Sequence, residues 1–286
     1  MKNKIDYHLE DPTWCRGCGL FALFSAFKKA AESLKIPPEQ LVIVTGIGCH
    51  GRLNNYFRCY GFHALHGRAL PVATGVKLVN PRLIVVGISG DGDAYSIGLG
   101  HLLHAMKRNV NLTYVVVNNL IFALTQGQTS PTSREGFVSI SHPYGSPEYP
   151  LDGPRLALAA GAAFIARGFS GEPGHLLSLI KKAIQHKGFS LLEVLSPCVT
   201  HNKVITYQWL KENIELIDQD SSYDPKNIQS AWDRTAGGEK IPVGLIYCQK
   251  KSSFEFLVDQ DENRPLVSED FKVKREELEK IMDGFE

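Results

Sequence analysis

The chain has 286 residues, of which 43% are hydrophobic and 21% charged, and its formal net charge is +1. This size allows one large domain or one domain with an appendage. So small a net charge gives no reason to expect binding to nucleic acid or to an anionic membrane. The longest apolar stretch, residues 156–169, is broken by glycine and arginine and is too short to cross a membrane. The first fifteen residues lack an apolar signal core, which predicts a cytoplasmic protein.

The first third of the chain favours a helix, a strand, a loop and a second helix. In chain order we predict a helix over residues 20–34, a buried strand over 41–44, a glycine turn over 45–49, a loop through Pro71 and a helix over 72–79. Two prolines at 37 and 38 end the first helix, because proline cannot continue it.

The most informative part of the chain is a unit of strand, helix and strand that ends at Asn119. An apolar run at residues 83–88 predicts a buried strand, which is followed by the sequence GDGD at residues 90–93. A helix with Leu99 and Met106 on its apolar face comes next, and a second strand over residues 112–117 leads into two asparagines. This alternation predicts an open α/β sheet with mostly parallel strands.

Asp91 and Asn119 are 28 residues apart, yet each follows the end of a predicted strand. Ligands of an open α/β sheet bind at the carboxyl ends of its strands, so these two side chains should meet there. Their oxygens suit Mg²⁺, and the adjacent glycines allow a phosphate to approach. The pattern therefore predicts a site for a divalent cation and a diphosphate. The alternative is a flavodoxin-like or nucleotide-binding turn with a solvated aspartate.

The second half of the chain resumes the alternation of helix and strand and then changes character. Residues 173–187 predict a helix and residues 190–195 a strand that leads to Cys198. Beyond residue 200 the chain is more charged and less regular, with a helix expected over 274–282. We therefore divide it into a domain over 1–200 and a C-terminal appendage over 201–286 that packs on a partner. A plain small α+β extension is the alternative.

Six cysteines in a chain of this kind favour metal or redox chemistry over disulfides. Cys15 and Cys18 form a CxxC motif between glycines, Cys49 lies in a second glycine turn, and Cys198 follows a strand. Four thiolates in such turns suit an iron–sulfur cluster or a structural zinc ion, and the CxxC motif is also compatible with a thioredoxin-like redox pair. The other two cysteines, at 59 and 248, are expected to be ordinary thiols.

Six motifs follow one another along the chain. They are WCRGCG, TGIGCHGR, HGRALPVATGVKLVNP, GDGDAYSIG, NNLIFALTQGQTSPTS and SPCVTHN. Together they resemble the β subunit of the 2-oxoacid:ferredoxin oxidoreductases, and GDG with NN resembles the thiamine diphosphate motif. The resemblance runs from about Trp14 to His201. It implies the thiamine-diphosphate-binding fold, an open and mostly parallel sheet with helices on both faces, followed by a C-terminal arm.

The resemblance also implies three cofactors: thiamine diphosphate, Mg²⁺ and one 4Fe–4S cluster. The magnesium ligands would be the side chains of Asp91 and Asn119 and the backbone carbonyl of Ile121. The implied cluster ligands are Cys15, Cys18, Cys49 and Cys198. The residues implied to bind the cofactors are Ile47, Gly48, Cys49, His66, Gly67, Gly90, Asp91, Gly92, Asp93, Asn119, Ile121, Leu124 and Thr125.

The activity implied by the resemblance is CoA-dependent oxidative decarboxylation of a 2-oxoacid, with electrons passed to ferredoxin, and its reversal to reductive carboxylation. Arg52 and His66 are the candidate catalytic residues, and Arg52 and Gln126 the candidate substrate residues. We favour 2-oxoglutarate, converted to succinyl-CoA, over pyruvate. Gln126 stands where many 2-oxoglutarate-type relatives have lysine, which could pair with a distal carboxylate. Arg16 stands where the family commonly has proline.

The partner implied by the resemblance is an α subunit in an αβ or (αβ)₂ enzyme. It would supply a glutamate for the pyrimidine side of the cofactor and a surface for CoA, so this chain should be inactive alone. Two other functions stay open: a thiamine-dependent non-oxidative lyase with a structural zinc ion, and a non-catalytic scaffold subunit with a vestigial site.

Overall fold

A computed structural model describes residues 5–258, 260, 262–270, 272 and 274–285 of the chain. Residues 1–4 of the N-terminal segment, and the last residue of the predicted appendage, lie outside the described residues. None of the described helices is long and apolar enough to cross a membrane.

Ten strands and eleven α-helices are found in the described residues. The strands are β1 (Leu41–Thr45), β2 (Tyr60–His63), β3 (Ile84–Gly90), β4 (Thr113–Asn118), β5 (Ile121–Phe122), β6 (Gln128–Thr129), β7 (Phe164–Phe169), β8 (Ser190–Leu195), β9 (Ile214–Leu216) and β10 (Ile241–Cys248). The helices are α1 (Gly19–Leu34), α2 (Leu53–Tyr56), α3 (Ala69–Val79), α4 (Asp91–Tyr95), α5 (Leu99–Arg108), α6 (Gly153–Ala159), α7 (Pro173–Gln185), α8 (Tyr207–Asn213), α9 (Ile228–Thr235), α10 (Phe254–Leu257) and α11 (Arg275–Asp283).

Eight of the strands form one sheet in the order β2-β1-β3-β4-β8-β7-β10-β9. Neighbouring strands in this sheet are parallel to each other, with one exception: β10 runs antiparallel to β7. The predicted open and mostly parallel sheet is therefore confirmed. From β1 the chain moves outward to β2 and then returns to place β3 on the other side of β1. The order of strands thus reverses between β1 and β3, and such a switch point opens a crevice at the carboxyl ends of the strands.

The core lies on both faces of this sheet, because successive side chains of a strand point to opposite sides. In β1, Ile43 packs on the side of α1 and α7, whereas Val42 and Val44 pack on the side of α3 and α5. β4 divides in the same way. Burial on both faces explains why these strands read as continuous apolar runs in the sequence.

Most of the predicted elements are confirmed, with three corrections. The segment up to Pro71, expected to be a loop, contains α2 and the edge strand β2, and α3 begins at Ala69. All four residues of β2 are exposed, so that strand has no apolar pattern to reveal it. The loop after Asn119 contains the hairpin of β5 and β6. The GDGD sequence was expected to follow the end of a strand, and in the structure its Asp91 is also the first residue of the helix α4.

The C-terminal part of the chain is joined to the main sheet. Strand β10 lies beside β7, and β9 lies beside β10 at the edge. The division at residue 200 stays a prediction, but residues 241–248 share the sheet of the preceding domain and are not a separate layer. The helix expected over 274–282 is present at Arg275–Asp283, and none of its residues is buried.

Candidate active site

A cavity of about 870 Å³ opens at the carboxyl ends of β1, β3, β4 and β8. Its position is the switch point of the sheet, where an open α/β fold binds ligands, and its size suits a cofactor. The predicted site residues that line it are Cys15, Cys18, Ile47, Gly48, Cys49, Arg52, His66, Gly90, Asp91, Gly92, Asp93, Asn119, Ile121, Leu124, Thr125 and Cys198. Of the predicted set, Gly67 and Gln126 are not part of the lining.

The Asp91 carboxylate lies at the floor of the cavity and is 1% exposed. Its Oδ2 accepts hydrogen bonds from the hydroxyls of Ser130 at 2.6 Å and Thr132 at 2.7 Å. Burial raises the pKa of this carboxyl group to about 6, and none of its contacts among the described residues is a cationic side chain. A buried carboxylate without a counter-ion is unfavourable, and a divalent cation in the cavity would remove that penalty.

The hairpin after β4 holds the other predicted magnesium ligands. The Asn119 side-chain oxygen accepts a hydrogen bond from the Ile121 backbone N–H at 3.2 Å. Ile121 then pairs with Thr129 across the hairpin, which fixes its backbone beside the cavity. The single hydroxyl proton of Thr132 is shared between Asp91 and the side-chain oxygen of Asn118, which lies 2.9 Å from Thr132 Oγ1. The hairpin and the GDG helix are therefore joined by one set of hydrogen bonds.

Three of the predicted cofactor residues meet at the second aspartate of GDGD. Asp93 Oδ1 lies 2.9 Å from Nδ1 of His66 and accepts the backbone N–H of Gly67 at 2.6 Å and of Ile47 at 3.4 Å. Its Oδ2 is buried without a hydrogen-bond partner in the described part of the chain. Asp93 thus ties the turn after β1 and the HGR segment to the GDG helix, which brings three distant motifs to one wall.

Two glycines of the motifs are needed for close packing. A Cβ at Gly46 would lie 1.8 Å from Oδ2 of Asp93, and a Cβ at Gly92 would lie 2.2 Å from the ring of Phe122. The sequence suggested that the glycines of GDGD give a phosphate room to approach. At Gly92 the structure adds a second reason, since the ring of Phe122 fills that space.

The four predicted cluster cysteines line one end of the cavity although they come from three separate loops. Burial raises the pKa of Cys18 to about 11 and also raises that of Cys49, with repulsion between the neighbouring thiolates adding to both shifts. The His201 backbone N–H donates to Sγ of Cys198 at 3.4 Å. Within the described residues, no three His, Cys, Asp or Glu side chains are close enough together to hold one metal ion.

Among the described residues that line the cavity, Arg52 is the only arginine or lysine. Its guanidinium donates to Thr13 Oγ1 at 3.0 Å and bonds with the hydroxyl of Tyr56, while the side chain stays exposed. It is therefore held in place with donors left for a ligand. Gln126, by contrast, is exposed in a left-handed turn at φ 79° outside the cavity lining.

His50 is one of the cavity residues that the sequence analysis did not single out. His50 is 3% exposed, lines the cavity, and has no hydrogen-bond partner for Nε2 among the described residues. Its burial lowers its pKa to about 4, so the ring is neutral. It lies inside the predicted TGIGCHGR motif, but nothing in that motif distinguishes a buried histidine from an exposed one.

A buried ionic network behind α4 was also missed. Glu193 on β8 accepts from Arg167 Nε at 2.7 Å and from the Tyr95 hydroxyl at 2.8 Å. Arg167 also donates to Asp152 at 2.9 Å. Tyr95 is the last residue of α4, so the network anchors the helix that begins with Asp91. The four residues are far apart in sequence, and no motif connects them.

Comparison with known proteins identifies first the class of this domain. The family model described as thiamine pyrophosphate enzyme, C-terminal TPP binding domain, matches residues 46–194, which include the GDG and NN motifs and all but the last residue of β8. A second model, for the C terminal of the pyruvate ferredoxin oxidoreductase beta subunit, matches residues 198–262. The sheet and its cavity are thus those of a thiamine-diphosphate-binding domain.

Similar proteins extend over nearly the whole chain. The 2-oxoacid:ferredoxin oxidoreductase 2, subunit beta, of Aeropyrum pernix is 38% identical over 283 residues, which cover 95% of this chain and 85% of that one. The 2-oxoglutarate synthase subunit KorB of Archaeoglobus fulgidus is 38% identical over 254 residues, 89% of this chain and 94% of its own. A solved 2-oxoglutarate:ferredoxin oxidoreductase from Magnetococcus marinus, with 2-oxoglutarate, coenzyme A and succinyl-CoA bound, has a TM-score of 0.90 at 35% identity. That match covers 98% of this chain and 97% of that one.

The chain therefore belongs to the family of 2-oxoacid:ferredoxin oxidoreductase β subunits, and the enzyme class predicted from its motifs is confirmed.

Proposed function

We propose that this chain, with an α subunit and CoA, oxidatively decarboxylates a 2-oxoacid and that 2-oxoglutarate is its substrate. One 2-oxoacid anion, CoA and two oxidised ferredoxins give acyl-CoA, carbon dioxide, one proton and two reduced ferredoxins. The observation that carries the proposal is the shared cavity: the GDG motif, Asn119 of the NN motif and all four cysteines line it. Reductive carboxylation is the same reaction reversed.

The magnesium ion and the diphosphate of the cofactor would be held by Asp91, Asn119 and the carbonyl of Ile121. The buried Asp91 carboxylate, which lacks a cationic contact among the described residues, fits this role. Thiamine diphosphate, when bound, supplies the electron sink for decarboxylation. Asp93 would hold His66 by its Nδ1, so that the other ring nitrogen is free to hold or release a proton at the substrate.

A 4Fe–4S cluster would be held by Cys15, Cys18, Cys49 and Cys198. Thiolates are the ligands of such clusters, and backbone N–H groups directed at sulfur, as at Cys198, tune them. A cluster supplies storage for one electron at a time, which separates the two-electron chemistry of the substrate from one-electron ferredoxins.

The substrate carboxylate would bind to Arg52. Arginine forms paired hydrogen bonds with carboxylates, and Thr13 and Tyr56 hold this one at the cavity. The relatives named for 2-oxoglutarate, and the Magnetococcus structure with 2-oxoglutarate bound, support the longer substrate. Gln126 is outside the cavity lining. It would contact a substrate only if the partner subunit extends the binding site to this turn. Pyruvate remains the alternative.

The α subunit would cover the open side of the cavity and supply the pyrimidine-side glutamate and the CoA surface. Three relatives are named as the beta subunit of their enzyme, which supports such a partner.

The test is an assay of the holoenzyme, produced with its α subunit and purified without oxygen. We expect CoA-dependent reduction of methyl viologen with 2-oxoglutarate, and a kcat/KM at least tenfold lower with pyruvate. Preference for pyruvate would contradict the assignment of 2-oxoglutarate as the substrate. Absence of reduction with every 2-oxoacid tried, in protein that contains thiamine, iron and sulfide, would contradict the proposed reaction.

Two further measurements test the residues. Arg52→Gln should raise the KM for the 2-oxoacid about tenfold, the loss of one charged hydrogen-bonded contact, with a smaller change in kcat. Arg155→Gln, on an exposed helix position outside the cavity lining, is the control.

Iron and acid-labile sulfide should be present at about four each per chain. A colourless protein with one zinc ion would instead support the lyase.

A further inference from the structure

The three segments that carry the cysteines have an unusual charge composition. Residues 12–21, 46–58 and 196–211 contain five Lys or Arg and no Asp or Glu, whereas the whole chain has 31 of the former and 30 of the latter. Two of the five have other partners: Arg52 bonds with Thr13, and Arg58 lies 3.9 Å from Asp6. The other three, Arg16, Lys203 and Lys211, are exposed, and none of them has an acidic partner within the described residues. Lys211 lies in α8, further along the chain from Cys198 than Lys203.

Arg16 and Lys203 are brought to the same place by the contact of two cysteine loops. Gly17, in the loop of Cys15 and Cys18, faces Val199, and a Cβ there would lie 3.9 Å from the Val199 side chain. The ammonium of Lys203 donates to the backbone carbonyl of Val199 at 2.5 Å. Arg16 is next to Gly17 in the chain, so the backbone of Arg16 and the ammonium of Lys203 both lie close to Val199.

Apolar side chains accompany these cations. Val204 is 56% exposed and Phe21 is 37% exposed. Phe21 packs edge-on against Trp14 at 5.4 Å, and the Trp14 indole donates to the carbonyl of Cys49 at 2.7 Å. Of the four cavity cysteines, Cys15 is the exposed one. Arg16, Phe21, Lys203 and Val204 are all exposed and lie within six residues of Cys15 or Cys198 in the chain, and we name this group the cationic face.

We propose that the cationic face is the docking surface for the electron acceptor, a small acidic iron–sulfur protein. Complementary charge guides two proteins together and raises the rate of association, and electron-transfer encounters need only a small interface. Arg16 and Lys203 would contact acidic side chains of the acceptor, and Phe21 and Val204 would exclude water between them. The acceptor would then take one electron per encounter beside Cys15. This inference rests on the proposed function.

The experiment compares two acceptors on the same holoenzyme, the complex with the α subunit. Methyl viologen is a small cation that needs no docking surface, whereas a purified acidic ferredoxin does. We expect Lys203→Glu and Arg16→Glu each to lower kcat/KM for ferredoxin about tenfold at low ionic strength and to leave viologen reduction within about twofold. The difference from the parent enzyme should shrink in about 1 M salt, where charges are screened within a few ångströms.

Lys187→Glu is the matched control. It makes the same change of charge on an exposed lysine just before β8, whereas Cys198 follows the end of that strand. Since β8 runs from Ser190 to Leu195, a rise of about 3.3 Å per residue puts its two end residues roughly 17 Å apart. The control should reduce ferredoxin as the parent does.

Three results would overturn the proposal. The first is an unchanged kcat/KM for ferredoxin in both variants. The second is an equal loss in Lys187→Glu, which would show a response to net charge alone. The third is an equal loss of viologen and ferredoxin reduction together with weaker association of the α subunit, which would assign the face to that partner. Failure of the parent enzyme to reduce viologen would instead contradict the proposed function.

Discussion

Asp91 shows how much one side chain depends on its surroundings. Its motif predicts a metal ligand, and the structure places it at the cavity, buried and bonded to Ser130 and Thr132. The sequence did not indicate those two hydroxyls, because they lie about forty residues away in an irregular segment. Nor did it indicate the burial that raises the pKa of Asp91 to about 6.

Replacement of Asp91 by asparagine should weaken the binding of thiamine diphosphate with Mg²⁺ at least tenfold, because the only charged ligand of the proposed set is lost. Binding is measured by the thiamine retained after gel filtration and by titration calorimetry. Asp283→Asn, on the exposed face of α11, is the control. Equal retention in both variants would rule out Asp91 as the ligand.

The pH dependence of cofactor binding has a defined sign. The raised pKa of Asp91 means that the metal-free carboxyl group holds a proton below about pH 6. Proton and cation then compete, so the apparent affinity for Mg²⁺ should fall as the pH is lowered through 6 and level off above about 7. Titrations with Mg²⁺ between pH 5 and 8 measure this apparent affinity. An affinity that is constant over this range would contradict the assignment.

The helix α4 is one turn long and is held mainly by contacts with other elements. Isolated helices of this length are unstable, so the network of Tyr95, Glu193 and Arg167 is what positions Asp91 at its start. Sequence reasoning found the flanking strands because each is a continuous apolar run. It missed α4 and the hairpin of β5 and β6, because such short elements have no periodicity of their own.

Glu193→Gln should lower the free energy of unfolding by about 3 kcal/mol or more, since it leaves the buried Arg167 charge with only part of its compensation. It should also weaken cofactor retention, because Tyr95 loses its charged acceptor. Chemical denaturation with the cofactor absent measures the first effect. Glu279→Gln, in the exposed pair with Arg275, should change neither quantity. Similar unfolding curves for the two variants would show that the network of Tyr95, Glu193 and Arg167 does not stabilise the fold.

The complete sheet includes strands from both predicted parts of the chain. All six residues of β7 are buried, and β10 covers the side that would otherwise be an open edge. A sheet edge with unpaired backbone groups invites aggregation. The residues after 200 therefore stabilise the domain that holds the cofactor residues, in addition to any contact with a partner.

A chain that ends at residue 200 should not accumulate in folded form, because β7 then becomes an exposed apolar edge. A chain that ends at residue 274 loses only α11 and the residues after it, and since α11 has no buried residue this chain should keep its melting temperature within a few degrees. Soluble yield and thermal unfolding, each with the α subunit present, measure this. A folded 1–200 chain would restore the simple division into domain and appendage.

The sequence predicted the central strands and the strand ends at which Asp91 and Asn119 lie. Through its six motifs it also predicted the enzyme family. It could do so because buried parallel strands are apolar throughout and because chemistry requires particular residues at short spacings. The tertiary structure was needed to show that the cysteine loops and the GDG helix share one cavity, that Gln126 is outside it, and that β10 completes the sheet. It also revealed the His50 environment and the Glu193 network. These depend on contacts between residues far apart in sequence, and no local pattern records which distant side chain fills a given space.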